Sequence, residues 1–391
     1  MSDIVFSSDL DANADRFFLL ELPAEVAALY AATPGSSPKR QPVTSTDPSP
    51  LLVIRGLPND EAVLCTRDAT YAIREVQTSN TTLLTRKQAE GYSVDACMSG
   101  YMELVPTRPR VDKLRELLEA ALYDGPVEEE RERSKRLRSN EPQRKTYTHA
   151  DLEALVQCST AELANALTSL GAVCISSTYR ILSPTYLATS LRLLLASLVA
   201  EDLDVRDLDV EDCISAMAGE ADEVPETVVR GILDQFWDIK PDGRRAINEG
   251  KVARFFGETL LQNAESRKTP LSTFLTTWSS ALPPPLSLLT SPPSAALAHI
   301  AGLYLLSDTT TPTPSIIYFP KRALPPDAKP RFEALFRMRR RWKRDEMLPY
   351  IDDLAPTEKK LDAILLKFAR TSKDSPADGG GTVYTSRYAV Q

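Results

Sequence analysis

Toward the end of the chain the apolar positions fall first at helical and then at strand spacing. RFEALFRMRRRWKR predicts a basic helix, DEMLPYIDDL a short second helix and TEKKLDAILLKFART a third. In the third, Leu361, Ile364, Leu365 and Phe368 recur at i, i+3, i+4 and i+7, the stripe that one face of a helix buries. Thr357 suits the N-cap and Glu358 the first turn. GGGTVYTSRYAV then predicts a strand pair. Helix, helix, helix, hairpin is the order of a winged helix.

The same order recurs upstream. Thr148-x-x-Asp151 and Ser159-x-x-Glu162 are two capping boxes that open consecutive helices, the second ending at Gly171, and AVCIS with YRILS predicts a hairpin. Pro184 opens a leucine-rich helix through Glu201. A second helix runs over 209–218, and a third starts at Pro225 with Val228, Val229, Ile232, Leu233 and Phe236 on its apolar side. WDIK, PDG and RRAIN predict strand, turn and strand. Further helices are predicted over 249–262, 271–282 and 294–305, followed by the strand SIIYFP. The copies share no detectable sequence identity, and they divide into three or four units.

Before residue 106 the pattern shortens. RFFLLEL, LLVIRG, EAVLCT, TYAIREV and TTLLT predict short strands, with turns at Leu57-Pro58-Asn59-Asp60 and Ser79-Asn80. Tyr71, Ile73 and Glu75 alternate with Ala72, Arg74 and Val76 at period 2. LLVIRG and EAVLCT are apolar on both faces, as central strands are, or strands completed by another chain. Residues 33–50, rich in Pro, Ser and Thr, predict a flexible insertion. Leu114, Leu117, Leu118 and Leu122 line a helix over 111–123. The charged stretch 128–145 predicts a segment that loops out, either a solvated linker or, through Lys135-Arg136-Leu137-Arg138, a nuclear localisation patch.

The fold class that follows is α+β. A β-strand module over 1–106 precedes a first winged-helix region over 107–248, a winged-helix-like domain over 249–325 and a basic winged helix over 326–391.

Charge sharpens this division. Residues 326–391 hold 14 Lys and Arg against 10 Asp and Glu, a net of +4, while the first 325 hold 32 against 44, a net of −12. With −8 overall, contact with nucleic acid has to be local. On the third helix of the last unit, Lys359 and Arg370 lie opposite the apolar stripe, with Lys367 and Lys373 at its flanks. Such a face is either simply solvated or laid against phosphates. No apolar run of eighteen residues and no signal-peptide layout is present, which predicts a soluble intracellular chain. Five cysteines without a CxxC pair predict reduced, packed thiols and no zinc site. Only His149 and His299 are available as imidazoles, neither beside a nucleophile pattern. There is no GxxxxGK[ST] or GxGxxG loop, and the acidic clusters lie on or beside amphipathic helices. No catalytic residue, cofactor site or metal site is therefore expected, and the chain does not read as an enzyme.

FFLLELPAEV, then LLVIRGLPNDEAVLCTRDATYAIREVQTSNTTLL, and at the other end RFEALFRMRRRW, MLPYIDDL, ILLKFAR and VYTSRYAV, resemble the sister chromatid cohesion subunit of the alternative, cohesion-type replication factor C clamp loader. The insertion at 33–50 departs from that pattern. The resemblance implies an N-terminal module that forms a composite β-barrel with a small accessory subunit and the tail of a large ATPase subunit. It also implies winged helices that contact single- and double-stranded DNA and the catalytic subunit of DNA polymerase epsilon. Such a complex loads or unloads PCNA in the nucleus and supports cohesion without an ATPase of this subunit's own. On this reading Leu52, Ile54, Val63, Leu64, Tyr71 and Ile73 meet partner chains, while Lys359, Lys367, Arg370 and Lys373, with Arg387 on the wing, meet DNA phosphates without specifying sequence. The rival readings are a sequence-specific winged-helix transcription regulator and a protein-interaction scaffold with a solvated basic face.

Overall fold

A computed structural model describes residues 3–6, 17–32, 52–88, 91–139, 144–264, 268–283, 286, 293–307, 314–355, 357–373 and 382–387. The insertion expected at 33–50 lies outside them. The chain divides into two compact units, residues 1–187 with 218–235 and residues 188–217 with 236–391. The fold is mixed α+β.

The first unit begins with an open sheet of β1 (Asp3–Phe6), β2 (Leu20–Glu21), β3 (Val53–Arg55), β4 (Val63–Cys65), β5 (Thr70–Gln88) and β6 (Gly91–Pro106). Its order is β1-β6-β5-β4-β3, with β2 also on β6, and among the described residues it does not close on itself. On one face, α1 (Ala24–Ala32) buries Val26 against Leu64, Tyr71 and Leu104. The expected turn at Leu57–Asp60 is present, closed by the Asp60 N–H donating to Leu57 O at 2.9 Å.

Two strand expectations are corrected. RFFLLEL contributes only the two residues of β2. TYAIREV and TTLLT belong to one 19-residue strand, and Ser79-Asn80 is no turn but an irregularity between Gln77 and Thr82, where the register with β6 shifts. Opposite it, Gly100 admits a close approach, since a Cβ there would lie 2.6 Å from the Val76 carbonyl oxygen. The long partner strand β6 was not among the expected ones.

The helical part of this unit includes α2 (Asp112–Glu119), α3 (Pro126–Ser139), α4 (His149–Leu155), α5 (Thr160–Ser169), β7 (Ala172–Ile175) and β8 (Thr178–Ile181). Both capping boxes form as expected, on Thr148 with Asp151 and on Ser159 with Glu162. Leu114, Leu118, Leu152, Val156, Leu163 and Leu167 pack together as the core beneath them. The stretch expected to loop out is instead the 14-residue helix α3. It is polar on every side, so apolar periodicity could not reveal it. Its supports are ionic: acids in the first turn and arginines in the last match the helix dipole, and Arg131–Glu128 and Arg136–Glu132 pair at i,i+3 and i,i+4. Glu129 accepts from Arg180 of β8 at 2.8 Å.

The β7–β8 hairpin turns through Ser176 and Ser177 at φ 48° and 66°, the left-handed pair that a two-residue type I′ turn requires. A non-glycine residue there carries strain of about 1–2 kcal/mol. Ser177→Gly relieves it at some cost in unfolded-chain entropy, so a net gain of about 0.5–1 kcal/mol is expected as a higher urea midpoint. A lower midpoint would show that Ser177 makes an interaction worth more than the strain.

From residue 184 onward the chain forms α6 (Pro184–Ala200), α7 (Val210–Ala216), α8 (Glu226–Phe236), β9 (Trp237–Ile239) and β10 (Arg245–Ile247). Next come α9 (Glu249–Asn263), β11 (Thr269–Pro270), α10 (Leu271–Ala281), α11 (Pro293–His299), β12 (Tyr304–Ser307) and β13 (Ser315–Tyr318). The last elements are α12 (Ala328–Met338), β14 (Arg341–Lys343), α13 (Arg344–Ile351), α14 (Glu358–Phe368), β15 (Ala369–Lys373) and β16 (Thr382–Ser386). The helix expected over 294–305 stops at His299, and Tyr304 already belongs to a strand. The basic helix stops at Met338, and its expected continuation RRRWKR contains β14.

One topology runs through these elements. In the last block β14, between its first two helices, pairs with the final strand β16, giving the order β14-β16-β15. The block before it repeats this with β11-β13-β12. Upstream the short strand shrinks to a single bridge: Leu208 pairs with Arg245 of β10, and Tyr147 pairs with Tyr179 of β8. Among the described residues the order helix, strand or bridge, helix, helix, strand, strand thus occurs four times, once with α3 inserted. The last copy closes over Trp342, Tyr350, Phe332, Phe336, Leu361 and Leu365.

Candidate functional site

Two surfaces stand out, one in each unit. In the first, β3 is an edge of the sheet among the described residues, paired there only with β4, so its outer N–H and C=O groups form a template for another strand. Ile54, at the centre of β3, is 67% exposed. Farther along the sheet the β5–β6 ribbon presents Leu83, Leu84 and Tyr92, all exposed. Exposed apolar groups beside an unpaired strand edge mark a surface suited to another chain.

The six residues expected to meet partners divide sharply. Val63, Leu64 and Tyr71 are buried in this chain's own core. Leu52 and Ile73 are half-buried against that cluster, and Ile54 alone of the six points outward. Sequence reasoning passed over Leu83 and Leu84 because TTLLT looked like an isolated short run, and over Tyr92 because β6 was not among the expected strands.

The sheet is bolted to the helices of the same unit by polar groups. Arg55, whose side chain is 9% exposed, donates to Cys158 O at 2.6 Å and to Glu153 Oε1 at 2.9 Å. Thr70 Oγ1 accepts from the Ser159 N–H at 2.9 Å and donates to Glu162 Oε2 at 2.5 Å, which draws β5 into the capping box of α5. Burial pushes the Cys158 thiol up to about 12, against the opposing pull of Arg55, so it stays a neutral packing group. Cys65 and Cys213 are buried too, whereas Cys97 and Cys174 are exposed, which corrects the expectation that all five pack inside.

The second surface is the basic end. Lys359 and Lys367 are exposed on α14, as expected, and Arg370 is exposed on β15, not on the helix. Lys373 ends β15, with its side chain outside the described ones. Arg387 is exposed just beyond β16, and its N–H donates to Phe368 O at 3.1 Å. Lys367 Nζ lies 5.5 Å from the Phe368 ring centroid. None of Lys359, Lys367, Arg370 and Arg387 forms an ion pair among the described residues.

Register explains which cations share a face. Thr385 pairs with both Arg341 and Arg370, so these three form one row across the sheet. Arg387 follows two residues beyond Thr385 and Lys343 two beyond Arg341, both on the same side. Trp342 and Tyr384 occupy the opposite, core side. Arg341 and Lys343 were placed on a helix by the sequence, although Arg-Trp-Lys is itself an alternating strand pattern.

Other cations of this region are held within the fold. Arg344 pairs with Asp362 at 2.6 Å and Glu358 at 2.9 Å, and Arg339 with Glu346 at 2.5 Å. The buried Arg331 donates to Pro325 O, Tyr350 O and Asp353 Oδ1. At Asp353 burial pushes the carboxyl up, but the hydrogen bonds from Arg331 and Lys321 outweigh it and hold the group below the usual carboxylate range.

Among the described residues no group of three or more His, Cys, Asp and Glu could hold a metal ion, and no helix is long and apolar enough to cross a membrane.

Comparison with known proteins agrees with the resemblance seen in the sequence. A family model described as sister chromatid cohesion protein Dcc1 matches residues 17–351, stopping before α14, β15 and β16. The sister chromatid cohesion protein DCC1 of Xenopus laevis is 29% identical over 340 residues, covering 82% of this chain and 81% of the relative. That of Homo sapiens is 28% identical over 363 residues, covering 87% and 84%. That of Saccharomyces cerevisiae is 27% identical over 355 residues, covering 84% and 88%. The chain belongs to the sister chromatid cohesion protein Dcc1 family.

Proposed function

We propose that this chain is a non-catalytic accessory subunit of an alternative, cohesion-type replication factor C clamp loader. It works in the nucleus and links the loader to DNA and to leading-strand DNA polymerase epsilon while PCNA is loaded or unloaded in sister chromatid cohesion. The observation that carries this reading is the family match along residues 17–351.

The physical features are consistent with it. The open sheet serves as the assembly module: strands from the large ATPase subunit and the small accessory subunit complete it into a barrel, with β3 and the β5–β6 ribbon as docking sites. The four recurring blocks are winged helices, in which the first strand or bridge pairs with the last strand. The last of them carries the DNA contact through Lys359, Lys367, Arg370, Lys373 and Arg387. Val63, Leu64 and Tyr71 shape the docking strands from behind, and Ile54 makes direct contact.

Co-purification with the large subunit's C-terminal segment and the small subunit tests the assembly role. Ile54→Glu puts a charge where an exposed isoleucine would be buried, a change worth about 1.5–3 kcal/mol, so binding is expected to weaken tenfold or more while the isolated chain keeps its stability. Undiminished co-purification of the variant would remove β3 from the interface, and failure of the natural chain to assemble would overturn the subunit reading.

A further inference from the structure

Arginine stands three residues before a serine or threonine at four places, Thr70, Ser134, Ser139 and Ser183, the charge pattern that basophilic protein kinases read. The fold separates these positions. Thr70 is 2% and Ser183 6% exposed, and Thr70 Oγ1 is engaged by Ser159 and Glu162. The other two lie on α3. We infer that Ser134 is a phosphorylation site for an arginine-directed serine kinase, and that Arg131 and Arg138 on the same helix face receive its phosphate.

Geometry supports both halves. Kinases take their acceptor in an extended segment, so a helical serine has to be released by local opening. In α3 no described side chain is buried. The apolar residues Val127 and Leu137 are 67% and 78% exposed. The links from α3 to the rest of its unit include Arg180 to Glu129 and Arg144 to Glu132. Opening α3 therefore sacrifices ion pairs and helix hydrogen bonds but no buried apolar core. Ser134 is half-exposed and shares an outward groove with Glu130, Arg131, Lys135 and Arg138. Arg131 at i−3 and Arg138 at i+4 are its neighbours one turn away on either side. Glu129 and Glu132 point to the opposite side, toward Arg180 and Arg144.

The step balances with ATP as phosphoryl donor. Ser134 Oγ attacks the γ-phosphorus, a P–O bond forms, the bond to the bridging oxygen breaks, ADP departs and the hydroxyl proton passes to the kinase's base. The phosphoserine carries a charge between −1.5 and −2 at pH 7, with a second pKa ordinarily about 6. Set between two guanidinium groups it converts the basic outer face of α3 to a nearly neutral one and ties Arg131 to Arg138 across the acceptor.

Incubating the full chain with ATP and a kinase that requires arginine at position −3, followed by peptide mapping, tests the site. One phosphate on Ser134 is expected, lost in Ser134→Ala and reduced at least tenfold in Arg131→Ala. Arg138→Ala, which leaves the −3 arginine intact, is expected to keep the phosphate but to raise its second pKa in a phosphorus NMR titration. A synthetic 126–139 peptide controls for recognition. Phosphorylation of that peptide with none on the full chain would show that α3 does not open. Phosphate placed only on Ser139, Thr70 or Ser183, or a pKa indifferent to Arg138, would also overturn the assignment.

Discussion

Trp342→Ala is expected to destabilise the last block by about 3–5 kcal/mol, the usual cost of truncating a fully buried tryptophan. Trp342 is wholly buried in β14. Its indole Nε1–H donates to Arg339 O at 2.9 Å and to Leu335 O at 3.2 Å, so it caps the end of α12. The ring meets Tyr350 edge-on at 5.8 Å, and the Arg339 guanidinium lies 5.2 Å above it. Alanine removes the filling of the core, both hydrogen bonds and the seat of Arg339. Trp342→Phe keeps most of the volume and is expected to cost about half as much. Hydrogen exchange resolved by segment is the suitable readout, because a chain of two compact units need not unfold in one step. Protection should fall across α12, α13 and α14 and stay unchanged in the N-terminal sheet. A uniform loss in both units would mean that the last block is not an independent packing centre.

Trp342 also shows what local pattern can and cannot reveal. The two capping boxes, the hairpin of β7 and β8, and the stripe of α14 were legible because each is fixed by residues within one turn of one another. α3 was not, because a helix without an apolar face gives hydrophobic periodicity nothing to detect; its Glu-to-Arg spacings and its acidic-to-basic order were the available signal. β5 was cut in two because beyond Val76 it is exposed on both faces, so no steady alternation of buried and exposed positions marks it, and Ser79-Asn80 reads as a turn in isolation. At the open edge of the sheet, the apolar runs LLVIRG and EAVLCT were correctly seen as strands. Composition could not tell that Val63 and Leu64 face inward while Ile54 faces out, because that depends on which face α1 covers.

The second large effect concerns DNA. The full chain is expected to bind duplex DNA in a sequence-indifferent, salt-steep manner, and Lys367→Glu with Arg370→Glu is expected to weaken that binding by about a hundredfold at 50 mM salt. Each phosphate contact contributes a slope of roughly −0.9 in log K against log salt. Two lost contacts therefore reduce the slope by about 1.8, and at 50 mM salt each is worth a little over a factor of ten. Lys367 and Arg370 suit this test because neither is in an ion pair among the described residues, so reversing them leaves the fold's internal pairs in place. Arg344 or Arg331 would not serve, since each anchors carboxylates of its own block. The chain's net charge of −8 makes the experiment sharper. Attraction to phosphate has to be local, and its loss at the basic end is not masked by a diffuse positive field. An unchanged slope would move the contact to the other cations on the sheet face of Arg370, namely Arg341, Lys343 and Arg387, whose triple reversal then becomes the decisive variant. If the natural chain fails to bind at low salt, the basic end is a solvated or protein-binding face, and the chain makes no DNA contact of its own.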